Sequence, residues 1–334
     1  MSEAPAPLSP LAAPQELDAP NAQRLRQGLA QGAIWVVLLV LIVVSALVSP
    51  AFLTPRFLST LLKQAAALGI VAVGQTLAIL TGGIDLSVAS VMALMSVLAA
   101  NLMAGQDARV VPAAAFCLAI AALIGVANGL MVTKLRIPAF IATLGMVLVV
   151  QGIRFTYTGG VPRGSIPPLV RFWGGGMIGP IPAPVILWAS VVLLAWLLLK
   201  GTVFGRRLYA VGGNPSTARL SGVNVHGVII AAYTMCSLLA GLAGIVLAGY
   251  TGFADNWLGR GYDLDSIAAA VVGGTLFEGG RGGVLGTVAG VLIITILYNL
   301  VLLLALDEEL RRIVKGVAII LAVALYARMR TRTT

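Results

Sequence analysis

The chain has 334 residues, 59% of them hydrophobic and only 10% charged, with a formal net charge of +10. A soluble domain carries about 25% charged residues, so this much apolar surface needs lipid as its solvent. The basic balance does not point to nucleic acid. Lys and Arg sit in short connections between apolar runs, where they orient a membrane protein, and no RNA-binding or zinc-finger pattern occurs.

Residues 1–27 are rich in Pro and Ala and show no hydrophobic period, so a disordered cytoplasmic tail is expected there. The first apolar run, Ala33–Ser49, follows Arg24 and Arg26. Its long polar lead, with no small-x-small cleavage site after it, favours an uncleaved helix over a signal peptide. Further runs follow at Ala65–Leu80, Leu86–Ala104, Val111–Val132, Pro138–Thr158, Pro184–Leu199, Gly227–Tyr250, Leu264–Leu276, Val284–Leu306 and Ile313–Ala327. A spanning helix needs about 20 residues, with a range of about 17–25. Leu264–Leu276 falls short and reads as a half-helix or re-entrant segment. The expected architecture is an all-α integral membrane protein of about ten transmembrane segments, with its permeation domain at 28–330.

Lys and Arg favour a cytoplasmic N-terminus and C-terminus. That choice puts the compact basic connection Lys200–Arg219 inside and Asp107, Asp255, Asp263, Asp265, Asp307, Glu308 and Glu309 outside. Cys117 and Cys236 lie within apolar runs and read as packing residues. With His226 as the only histidine, neither a Ser-His-Asp triad nor a zinc site is expected. No catalytic, metal or cofactor-binding set is expected in this chain.

One charge interrupts the apolar pattern. In "AILTGGIDLSVAS", Ala78–Ser90, a greasy run stops at Gly82 and Gly83, presents Asp85 and resumes at Leu86 and Ser87. It has an echo in "GYDLDSIAA", which begins at Gly261 and carries Asp263. The two copies are five runs apart, so the second lies upside down relative to the first, as inverted five-helix repeats require. Matching Gly-interrupted segments in two halves of a transporter point to the pathway. Gln75, Gly82, Gly83, Asp85, Ser87, Gly261 and Asp263 are therefore candidate pathway or helix-break residues. For Asp85 three readings stand: an N-cap for the helix opening at Leu86, a polar group lining a pathway, or a proton relay. "GGRGG", Gly279–Gly283, lacks the Gly-Lys-Ser/Thr ending of a phosphate loop, so no ATP site is expected.

The basic connection 201–226 carries the signals of a short helix. Asn214 suits its cap, Pro215 its first position and Gly222 the residue past its end. Fewer than two turns do not persist alone in water, so the helix must dock on its own membrane or on a partner. Ala218 allows close approach, Leu220 supplies an apolar anchor, and Arg206, Arg207 and Arg219 suit acids or lipid phosphates.

Four stretches together resemble the permease subunits of bacterial ABC importers of the ribose/xylose/galactoside type: "GQTLAILTGGIDLSVAS" (Gly74–Ser90), "IPAFIATLG" (Ile137–Gly145), "GRRLYAVGGNPSTARLSGVNV" (Gly205–Val225) and "GYDLDSIAAAVVGGTLFEGGRGGVLGT" (Gly261–Thr287). The resemblance spans about Ala51 to Ala327. It departs from the family's usual pattern at Ala89, commonly Gly, and at Leu276-Phe277, more usually Ser-Leu. It implies a type II ABC-importer-like fold and import of a ribose-like monosaccharide across the bacterial inner membrane. It also implies a separate cytoplasmic ATPase seated on 201–226, a periplasmic or surface-tethered sugar-binding protein, and a second permease chain. Alternatives are a same-superfamily permease for a branched-chain amino acid, nucleoside or autoinducer, or an ATP-independent secondary transporter. A membrane-embedded enzyme lacks its histidine cluster, Cys setting or paired acids.

Overall fold

The computed structural model describes residues 19–304 together with 310, 313, 316 and 317. Its order is α1 (Ala19–Val48), α2 (Pro55–Leu80), α3 (Val88–Met103), α4 (Val110–Thr133), α5 (Ala139–Thr158), α6 (Pro168–Gly175), β1 (Met177–Ile178), β2 (Ile181–Pro182), α7 (Ala183–Gly201), α8 (Val203–Gly213), α9 (Pro215–Leu220), α10 (Val225–Thr251), α11 (Tyr262–Val272) and α12 (Val284–Leu303). Helix α1 begins at Ala19, so the tail boundary expected at Gln27 lies inside a helix. Residues 1–18 and nearly all of the tenth apolar run, Ile313–Ala327, lie outside the described residues.

Helices α2 and α10 form the axis. From Ala65 to Leu80 every residue of α2 is buried, and α10 packs against α2, α3, α4 and α6. The α4–α10 seam is close because Gly125 and Gly129 face it, four residues apart. A Cβ on either would lie 2.6 Å from the Cα of Thr234 or Ile230. Lipid gives helices no hydrophobic reason to associate, so close packing of small residues is what holds such a seam. At the other extreme, α5 and the outward faces of α1 and α7 carry exposed Leu, Val, Ile and Phe side chains, as surfaces facing lipid do.

Among the described residues, six helices are long and apolar enough to cross a membrane: α2, α4 with the turn before it, α5, α7, α10 and α12. The apolar stretches Ile34–Val48 and Val88–Met103 are shorter, and α11 covers only Tyr262–Val272. The expected run Leu264–Leu276 is therefore corrected at both ends: the helix opens earlier and stops before the Gly273–Gly274 turn. The β1–β2 hairpin, paired Met177 with Pro182 and Ile178 with Ile181, is a small exception to an all-helical chain.

Two helices are broken inside the bundle. After α2 the chain turns at Thr81–Gly82 and runs without helix from Gly83 to Asp85 before α3 opens at Val88. This segment lies beside Gln75 of α2 and Asn128 of α4, both well inside their helices. After α10 the chain enters from the far end of the bundle. Asn256 meets Thr158 at the end of α5, and a Cβ on Gly259 would lie 3.1 Å from Met92 of α3. Helix α11 opens from that depth and runs back toward Ile79, near the end of α2, where Ala270 and Val271 pack.

Candidate functional site

Asp85 is fully buried, and its surroundings are built from five elements. Its Oδ1 accepts from the Ser87 backbone N at 2.9 Å and from Ser87 Oγ at 2.6 Å. Asn128 Nδ2 of α4 approaches Oδ1 at 3.4 Å and Oδ2 at 3.3 Å, and donates to Ser87 Oγ at 2.9 Å. The Gln75 carboxamide, oriented to suit its neighbours, donates to the Asp85 carbonyl at 3.1 Å and accepts from the Asp85 N–H at 3.2 Å. It thereby pairs with the broken backbone as a neighbouring strand would. Tyr233 of α10 donates to the Ile84 carbonyl at 3.3 Å, and Thr143 Oγ1 of α5 approaches it at 3.3 Å while its single proton is shared with the nearer Ala139 carbonyl at 2.9 Å. Unpaired backbone inside lipid costs several kcal/mol per group, and these side chains replace the missing helical partners.

The N-cap reading of Asp85 needs correction. The N-cap of α3 is Ser87, and the helix opens at Val88 rather than Leu86. Asp85 stands two residues earlier and holds the Ser87 N–H through a side-chain turn. The free Ser87 N–H is satisfied as expected, by a carboxylate that also holds Ser87 Oγ and meets Asn128 of α4.

Of the residues singled out with Asp85, Gln75, Gly82, Gly83 and Ser87 gather around it. A Cβ on Gly83 would collide with the Tyr233 hydroxyl. Gly261 and Asp263 belong to the other break: Gly261 is the N-cap of α11 in a left-handed conformation, φ +90°, and Asp263 is in its first turn, half-buried. Sequence reasoning missed Asn128, Thr143 and Tyr233. Asn128 had a signal, a lone amide in the apolar run Val111–Val132; Thr143 and Tyr233 are ordinary helix residues whose role is created by packing.

The connection 201–226 folds as two helices. In α9, Asn214 Oδ1 accepts from the Thr217 N–H at 2.9 Å, Pro215 is first, and Gly222, φ +78°, follows the end. Arg206, Arg207 and Arg219 are exposed, and Leu220 is 90% exposed. Ala218 is the exception. It is 4% exposed and packs into this chain's own core, so it does not provide approach to a partner.

Helix α8 ties α9 to the breaks through close backbone packing and one side-chain hydrogen bond. Gly280 N donates to the Leu80 carbonyl at 3.0 Å, Tyr209 Oη donates to the Gly282 carbonyl at 2.9 Å, and Gly212 is wedged between Leu80 and Gly280. Any Cβ on Gly212 would collide with the Leu80 carbonyl oxygen and the Gly280 N. The turns Leu80–Gly83 and Glu278–Gly280 thus meet the last residues of α8, Gly212 and Gly213, where α8 leads into α9.

At the far end, an open cavity of about 880 Å³ is lined by Arg171, Phe172 and Tyr250 among others. Among the described residues no group of three His, Cys, Asp or Glu side chains is placed to hold a metal ion.

A protein family described as "Branched-chain amino acid transport system / permease component" matches residues 57–323. The chain belongs to this permease family. The permease is 43% identical over 292 residues to the ribose import permease protein RbsC of Escherichia coli (strain K12), covering 86% of this chain and 91% of that protein. It is 40% identical to RbsC of Bacillus subtilis (strain 168), covering 86% and 90%. It is 36% identical to the galactose/methyl galactoside import permease protein MglC of E. coli (strain K12), covering 90% and 96%. No solved structure matches it. The matched region includes both breaks and the whole α8–α9 connection, so the elements described here belong to the permease unit and not to an appended segment.

Proposed function

We propose that this chain is the membrane-spanning subunit of an ATP-driven importer of a monosaccharide, a ribose-like pentose or related sugar. It would take its solute from a periplasmic or surface-tethered binding protein and its energy from a separate cytoplasmic ATPase. The sugar class rests on the likeness to ribose and galactoside permeases. The family description keeps a second solute class in view, branched-chain amino acids, and the affinity of the cognate binding protein for D-ribose against L-leucine separates the two.

The observation that carries the mechanism is α9 on its glycine-packed base. A six-residue helix with Leu220 almost wholly exposed is unstable alone, and an exposed anchor flanked by Arg206, Arg207 and Arg219 suits a partner groove with acidic edges. Seated there, ATPase closure would push α8 against the Leu80–Gly83 and Glu278–Gly280 turns and shift both broken helices. The exposed basic side chains favour a cytoplasmic α9 end, with both termini inside and Gln75, Asp85, Ser87, Gly261 and Asp263 bordering the path. Entry of the two breaks from opposite ends supports inverted halves. The exposed α5 face of Phe140, Ile141, Leu144 and Leu148, with an unobstructed Gly145, suits a second permease chain.

The test is Leu220→Asp in the reconstituted complex. Membrane insertion is expected to be normal, while ATPase capture and binding-protein-stimulated ATP hydrolysis fall at least about ten-fold, as loss of a central apolar anchor does. Retained capture with normal hydrolysis would remove α9 as the docking element. A reporter fused after Ser221 should be active only in the cytoplasm.

A further inference from the structure

Arg154 lies in the last turns of α5, and only 3% of it is exposed. Its guanidinium makes no hydrogen bond or ion pair with any described residue, and its Nε is enclosed without a partner. The charge acting on it is Asp255, whose Oδ1 is engaged by the Trp257 N–H at 2.6 Å. An arginine keeps five donors and a permanent charge. Enclosing even the Nε donor of a charged guanidinium without a partner carries a desolvation cost, which makes such a side chain in a membrane segment a mark of function.

The surroundings indicate what would accept those donors. Phe155 packs edge-on with Trp257, ring centroids 5.6 Å apart at 62°. Arg154 Cζ lies 5.2 Å from the Phe155 ring centre. Trp257 belongs to the segment leading into α11 and is half-exposed, with Arg260 Cζ 5.4 Å from its ring centre. Asn256, 3% exposed, donates to the Gly160 carbonyl at 3.0 Å and to Thr158 Oγ1 at 3.3 Å. Aromatic faces beside unused donors suit a molecule with apolar C–H faces and many hydroxyl oxygens. Asp255 offsets the Arg154 charge and Arg260 adds a second guanidinium beside Trp257, so the ring pair decides the ligand class: its apolar surface suits the C–H faces of a neutral polyol, whose hydroxyls supply the acceptors.

Resting on the reading of this chain as a sugar permease, we infer that Arg154, with the Phe155–Trp257 ring pair, forms a subsite for sugar hydroxyls at the far-end break. It receives the solute from the binding protein before the path opens toward α9. Arg154 acts here as a binding residue, and Asn256 positions the segment that carries Trp257.

The experiment measures import of labelled D-ribose and ATP hydrolysis together, in proteoliposomes holding permease, ATPase and ribose-loaded binding protein. For Arg154→Gln, stimulated hydrolysis is expected within about two-fold of wild type, while ribose imported per ATP falls about ten-fold, the scale of a lost charge-assisted hydrogen bond. Arg154→Lys should restore part of that ratio. Trp257→Ala, at a half-exposed position, should lower it in the same direction and carries the test if Arg154→Gln fails to assemble. An unchanged ribose-to-ATP ratio in these variants would overturn the proposal. A parallel fall of import and hydrolysis would do so as well, since it marks a structural residue or a water-filled site. A wild-type complex that assembles and hydrolyses ATP yet imports no ribose would instead refute the sugar reading itself.

Discussion

Gly83–Leu86 and Gly261–Leu264 read almost alike, Gly-Ile-Asp-Leu and Gly-Tyr-Asp-Leu, and each stands where a helix begins within the bundle. Their surroundings differ. Asp85 is fully buried ahead of its helix and is held by Ser87 and Asn128, while Gln75, Tyr233 and Thr143 take up the adjoining backbone. Asp263 is inside the first turn of α11, half-buried, and its side chain has no hydrogen-bond partner among the described residues. The first break is locked by side chains from α2, α4, α5 and α10. The second leans on the turns of Asp255–Arg260 and on the helix dipole. The same tetrapeptide can therefore sit in a fixed joint or in a looser one, depending on which helices pack around it.

The largest expected contrast is between the two aspartates. Asp85→Ala leaves the Ser87 N–H and Ser87 Oγ without their buried acceptor and the Asn128 amide with Ser87 Oγ alone, and should lower stability by about 2–4 kcal/mol. Asp263→Ala loses only a favourable charge in the first turn of α11, about 0.3–1 kcal/mol. Denaturant titration of the purified permease in detergent measures both. Equal losses would break the distinction between a locked and a loose joint.

The glycines sharpen it. Gly82 has φ +81° and Gly261 φ +90°, so alanine at either pays about 1–2 kcal/mol for the left-handed backbone. A Cβ on Gly261 meets nothing within 4 Å, whereas one on Gly82 lies 3.3 Å from the Glu278 carbonyl. Gly82→Ala is therefore expected to destabilise the more of the two, by the same titration, and to reduce the coupling of ATP hydrolysis to uptake. Reversal of that order would argue against the junction of α8 with the first break.

The smallest effect tests redundancy. Tyr233→Phe removes a donor to the Ile84 carbonyl and leaves Thr143, whose hydroxyl can turn from the Ala139 carbonyl to Ile84, so the loss should be about 0.5–1 kcal/mol. A much larger loss would mean that the first break hangs on Tyr233 alone.

The amino-acid sequence by itself determines much of this architecture. Apolar run lengths mark α2, α4, α5, α7, α10 and α12, because lipid demands about 20 apolar residues per crossing whatever the packing. Asn214, Pro215 and Gly222 bound α9 because capping is local backbone chemistry. Asp85 stands out because a charge among apolar residues needs a reason. The start of α1 at Ala19 is not legible, since its polar first half lacks the apolar period that marks a buried helix face.

Tertiary structure alone decides who answers these local signals. Asn128, Thr143 and Tyr233 reach the Gly83–Ser87 segment from α4, α5 and α10, at distances in sequence that no spacing rule connects. Ala218 and Leu220, two residues apart on α9, face opposite ways, one into the core and the other into the open. The reason in each case is physical. Hydropathy and capping act within a few residues along the chain. Satisfying a broken backbone in a low-dielectric interior, or wedging Gly212 between Leu80 and Gly280, depends on where separate helices come to rest against one another.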